Sequence, residues 1–129
     1  NAGINSWDAL KNKEKGRTTL ADELNTVPTT LPALMYAQKM QKRAARKGAS
    51  AQTAEDAAAA LKAAECGWEE AVPENAAERA GALLFAAANA MRLAGVDAEE
   101  ALTFASGRFR QELLQKTEDS DGQERPATV

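Results

Sequence analysis

Glu65, Glu69, Glu70, Glu74 and Glu78 lie close together in the chain. Carboxylates gathered this densely are the raw material of a magnesium site, which needs several oxygens converging within about 2.1 Å of one ion. Their other role is a solvated rim around the turn at Pro73, and that is the expectation, because surface charge is far more often solvated than coordinating. In "KMQKRAARKG" the cations Lys39, Lys42, Arg43, Arg46 and Lys47 recur at steps of three and four, so a helix carries them on one face that could meet phosphate groups. No aromatic residue is interleaved, and a solvated outer face is again expected. Arg108 and Arg110 flank Phe109 in "SGRFRQE"; Phe109 reads as a core residue and the arginines as partners of nearby carboxylates. Cys66 reads as a small buried filler, since nothing in the chain could act as its imidazole base.

Composition excludes much else. The chain has no histidine, which removes Ser-His-Asp triads, HExxH metal sites and imidazole acid catalysis. A single cysteine rules out four-thiolate zinc and an internal disulfide. Neither GxxxxGK[ST] nor GxGxxG occurs. A net charge of −3 gives the whole molecule no long-range attraction for nucleic acid or an anionic membrane. No basic and apolar leader opens the sequence and its longest apolar run is too short and alanine-rich for a membrane span, so the expected compartment is the cytoplasm.

These side chains need helices to position them. The 129 residues suffice for one domain, and 44% hydrophobic with 5% aromatic makes its core one of Ala, Leu and Met. Residues 5–14, "NSWDALKNKE", form a short opening helix with Trp7 and Leu10 on one face, and Gly16 to Thr30 reads as loop. Thr30 is the expected N-cap of a helix with Pro32 in its first turn, running to about Lys47 and ended by Gly48. "TAED" opens the next at Thr53, with Asp56 at capping-box spacing, and it continues towards Pro73. A third spans from Pro73 to Asn75 through "ERAGALLFAAANAMRLA" to Gly95; Leu84, Ala87, Met91 and Ala94 form a stripe that Leu83 and Phe85 widen enough to bury both sides. Asp97 and Glu100 cap a last helix of about twenty residues. Residues 1–117 thus form one domain and 118–129 a disordered tail. The architecture is an all-α antiparallel bundle, and because alanine buries little area, a homodimer is expected to complete it.

Four segments, in order, resemble one family. "TVPTTLPALMYAQKMQKRAARKG", "GALLFAAANAMRLAGVDAEEAL" and "SGRFRQEL" look like the C-terminal half of the MazG nucleoside triphosphate pyrophosphohydrolases, and "NSWDALKNKEKG" resembles the stretch before it. The resemblance implies a dimeric all-α fold and magnesium-dependent cleavage of a nucleoside triphosphate to monophosphate and pyrophosphate. It further implies that an EExxE motif on one helix and an ExxD motif on the next hold the metal, since glutamates three apart share a helix face and two facing helices can converge their carboxylates.

The metal motifs are where this chain departs. "RAGALLFA" stands in place of the family's ELGDLLFA, which puts Arg79 and Ala82 at the ExxD ligand positions. EExxE is absent, and the matching helix offers "ALKAAECGWEEA". "GASA", Gly48 to Ala51, replaces the GFDW that often follows the basic helix. Asn89 and Arg92 survive, as does a basic group at Arg108, preceded by Ser106 where the family usually has Asn. The expectation is a MazG-like scaffold without its catalytic centre or any bound cofactor. Its role would be to dimerise, to support an active relative or second domain, or to bind a nucleoside triphosphate weakly through Asn89, Arg92 and Arg108. The alternatives are a magnesium-dependent pyrophosphohydrolase using shifted glutamates and, further off, a nucleic-acid- or protein-binding bundle using Lys39 to Lys47. A glutamate rescue by Glu78 requires rotating the helix, because Glu78 points about 100° away from Arg79.

Overall fold

A threonine three residues ahead of an aspartate starts the first helix of the computed structural model, which describes residues 19–51 and 53–128, with side chains as far as residue 120. Thr19 Oγ1 accepts from the Asp22 amide at 3.1 Å while Asp22 Oδ2 accepts from the Thr19 amide at 3.3 Å, closing a reciprocal capping box. Helix α1 is Leu20–Asn25. This corrects the loop expected from Gly16 to Thr30, in which Pro28 and the flanking turn formers masked the cap. The helix expected over residues 5–14 lies outside the described residues.

Helix α2 is Ala33–Arg46. Its N-cap is Pro32 and not Thr30: Leu31 precedes a proline and is held out of the helical region, so the first turn can form only beyond it. No side chain caps this end. At the other end Gly48 takes φ 71°, and Gly48 N–H donates to Ala45 O while Ala49 N–H donates to Ala44 O, which satisfies the last carbonyls in the Schellman manner.

Helix α3, Ala54–Glu69, is capped by Thr53, whose hydroxyl accepts from the Asp56 amide at 3.1 Å. Helix α4, Ala76–Leu93, ends on Ala94 with Gly95 at φ 78° and the same pair of reversed bonds, Gly95 N–H to Arg92 O and Val96 N–H to Met91 O. Helix α5 begins at Ala98, with Asp97 Oδ1 accepting from the Glu100 amide at 3.0 Å, and is drawn through Thr128. It therefore extends past the end expected near Glu118. The five helices and the absence of strands among the described residues make this an all-α fold.

Helix α4 is central. It packs most extensively on α3 and also touches α2 and α5, while α1 rests on α2. Small residues bring the helices together: Val27, Ala57, Ala88 and Ala98 are the buried apolar residues. Two glutamines support them. Gln38 Nε2 donates to the carbonyls of Ala88 at 2.9 Å and Val96 at 3.0 Å, and its Oε1 accepts from the Ala98 amide at 3.0 Å. One side chain of α2 so holds both α4 and the start of α5. Glu23 of α1 lies 3.4 Å from Arg43 and 3.9 Å from Arg46, which turns part of the basic row on α2 towards an internal partner.

Much of the apolar surface is open. Leu84 is 59% exposed, and Phe85 and Met91 are exposed too, correcting the expectation that both sides of this helix are buried. α2 and α3 cover the Ala88 side, and α5 meets the Leu84 and Met91 side only along an open groove. Phe109 is likewise not a core residue; it is 64% exposed because α5 leaves the body after its first turns. No helix of the described residues is long and apolar enough to cross a membrane.

Candidate functional site

Arg79 lies half-buried early in α4 and reaches across to α3. Its Nη1 donates to the carbonyl of Gly67 at 2.7 Å. That carbonyl lies near the C-terminal end of α3, where carbonyls concentrate partial negative charge and a guanidinium is favoured. Three residues on, Ala82 presents a methyl group to an open depression of about 390 Å³ between α2, α3 and α4. Gln41 of α2 and Ala60 of α3 also line it, Ser50 and Ala51 close one end, and Phe85, Ala86 and Asn89 of α4 complete the wall.

Of the three residues expected to bind nucleotide, the structure joins two. Arg92 Nε donates to Asn89 Oδ1 at 2.9 Å and its Nη2 donates to Ala51 O at 3.0 Å, so the guanidinium fixes both the Asn89 amide and the segment after Gly48. Arg108 is engaged elsewhere, 3.8 Å from Glu112 one turn along α5, with both side chains well exposed.

The acidic residues do not gather. Glu65, Glu69, Glu70, Glu74 and Glu78 are all exposed, and among the described residues no three His, Cys, Asp or Glu side chains are grouped so as to hold a metal ion. The two positions that the ExxD pattern assigns to carboxylates carry a guanidinium bonded to Gly67 and a methyl. These residues do not fit a resident magnesium ion, whose oxygen ligands would have to come from there. Cys66 is exposed, not buried, because the contact side of α3 runs through Ala57, Ala60 and Gly67 and Cys66 lies off it.

Gln41 was not among the residues singled out by the sequence. It is 4% exposed; Nε2 donates to Phe85 O at 2.9 Å, and Oε1 is buried with no donor. The signal was present in the spacing of Leu34, Gln38 and Gln41, which places two amides on the apolar side of α2.

The fold and site define a small helical module with a neutral pocket between α2, α3 and α4. The nucleoside triphosphate pyrophosphohydrolase of Escherichia coli strain K12 is 36% identical to the chain over 109 residues, which cover 80% of this chain and 41% of that protein. The pyrophosphohydrolase of the same name from Escherichia coli O157:H7 gives the same identity and coverage. No family model matches the chain. The chain is MazG-like, as its motifs implied, and it spans about two fifths of the length of these curated relatives.

Proposed function

We propose that the chain is a catalytically degenerate MazG-like module whose work is association: with a second copy, with an active relative, or with another domain. The observation that carries this reading is Arg79. At a position where the family motif requires a metal-binding carboxylate, a guanidinium closes on Gly67 O and ties α4 to α3. A divalent cation brought there meets a like charge, and among the described residues no three His, Cys, Asp or Glu side chains are grouped to hold it.

The uncovered apolar surface supports the associating role. Leu34, Leu84, Ala87 and Met91 line a groove of about 280 Å³ with Ala98, Ala101, Leu102 and Ala105 of α5. Monomeric proteins rarely leave contiguous apolar surface of this kind open. Weak nucleotide binding through Asn89, Arg92 and Arg108 is a lesser part of the proposal, since Arg92 is already held by Asn89 and Ala51.

Incubation of the purified chain with mixed nucleoside triphosphates and magnesium, read by pyrophosphate release, tests the loss of catalysis. Background release is expected. Turnover that disappears on chelating the metal overturns the proposal and restores a hydrolase fed by displaced glutamates.

A further inference from the structure

The groove between α4 and α5 is walled by Leu34, Leu84, Met91, Leu102 and alanines of both helices, and no polar side chain lines it. At about 280 Å³ it lies just below the range of small-molecule sites, and its side chains offer no hydrogen-bond donor to orient such a ligand. Walls of this kind suit a large side chain instead, since thioether and branched apolar surfaces pack well against an aromatic ring. Residues 1–18 precede the described part of the chain and hold one segment of matching chemistry. Trp7 and Leu10, with Ile4 three residues ahead, recur at a spacing that a helix carries along one side. Between Leu10 and Thr19, Lys11, Lys13, Lys15 and Arg17 outnumber the one carboxylate, Glu14. The start of α5 beside the groove has the opposite balance: Asp97, Glu99 and Glu100 open it, and no cation occurs from Val96 to Gly107. The tether is long enough. Glu23 of α1 lies 3.4 Å from Arg43, which is about 14 Å along α2 from Leu34 at the groove. The stretch from Leu10 to Thr19 spans up to about 30 Å when extended.

We propose that the segment around Trp7 and Leu10 docks in the α4–α5 groove of its own protomer, with Trp7 against Leu84 and Met91 and the cations beyond it beside the α5 carboxylates. The consequence, which rests on the association proposed above, is regulatory: the segment competes with a partner for this groove and has to leave before one docks there.

The test uses the full chain with Trp68→Phe, which keeps Trp7 as its one tryptophan. Emission is read at a dilution where sedimentation shows a monomer, and is expected at shorter wavelength than in the urea-unfolded chain. Leu84→Glu and Leu102→Glu, both at exposed side chains, are expected to shift it to the red while the helical signal is kept. In the reverse direction, Trp7→Ala is expected to move the methyl resonances of Leu84 and Met91 and to leave that of buried Ala57 in place. Emission from the monomer at the unfolded wavelength, or emission indifferent to both groove variants, overturns the proposal. A blue shift that appears only as concentration and sedimenting mass rise also overturns it and assigns the groove to a second copy. Competition is read separately: Trp7→Glu is expected to raise the sedimenting mass at fixed concentration by freeing the groove. An unchanged mass, with the emission shift of the Trp68→Phe chain intact, overturns association at this groove and supports the docking.

Discussion

The Arg79 guanidinium donates to the Gly67 carbonyl at 2.7 Å, joining two helices at a place where the family motif puts a metal ligand. The side chain at this position therefore has a structural bond of its own. It makes a direct link between α3 and α4. Replacing Arg79 by Met keeps the stem and removes the donor. The expected loss is about 1 to 2 kcal/mol, a hydrogen bond from a charged but partly solvated group, and urea unfolding measures it. Arg79→Lys should recover part of that loss, because an ammonium can still donate to Gly67.

Gln38 makes three bonds to main-chain groups of Ala88, Val96 and Ala98. Gln38→Ala strands two carbonyls and one amide at the junction of α4 with α5. A loss of about 2 to 3 kcal/mol is expected, larger than for Arg79→Met, since three bonds are lost and two of them, to Ala88 and Ala98, are part-buried. Gln38→Glu should cost less at neutral pH on the Ala98 side and more on the carbonyl side, and amide hydrogen exchange at Ala98 separates the two.

Two glycines should respond oppositely to alanine. Gly95 holds φ 78°, where a side chain is strained, so Gly95→Ala is expected to destabilise by about 1 kcal/mol. Gly67 lies inside α3 with nothing within 4 Å of the position of an added Cβ. Gly67→Ala should stabilise by about 0.5 to 1 kcal/mol, and thermal melts of the two variants side by side read the contrast.

Sedimentation addresses association. The wild-type chain at micromolar concentration is expected to exceed its 13.7 kDa monomer mass. Leu84→Glu, at a side chain 59% exposed, should return it to the monomer without lowering the helical signal, as burying a carboxylate against an apolar partner is strongly unfavourable. A wild-type chain that is monomeric at these concentrations removes self-pairing from the proposed function.

The helices were legible from the sequence wherever a local residue sets a boundary. Gly48 and Gly95 end α2 and α4 because only a left-handed residue completes those caps, and Thr53 and Asp97 start α3 and α5 with their own side chains. Thr19 and Asp22 carry the same signal, but in a helix of six residues set among turn formers. Burial was less legible. Periodicity identifies the residues of α4 and α5 that share a face; it does not say whether another element covers that face, and for Leu84 and Phe109 none of the described ones does. At the site, the presence of Arg79 and Ala82 where the resemblance implies carboxylates could be read directly. The engagement of Arg79 with Gly67 could not, because it depends on how closely two alanine-rich helices approach. Gln41 escaped notice for a similar reason: glutamine is ordinary on a helix surface, and its significance here comes from being 4% exposed with Oε1 unpaired.

The Gln38 clamp has a kinetic corollary. Because one amide of α2 secures both the end of α4 and the beginning of α5, the angle at which α5 departs is settled when the protomer folds. For the association proposed above, this surface is then expected to be shaped before the encounter. The expected course of such an association is a collision limited by orientation, with little chain ordering left to complete after encounter.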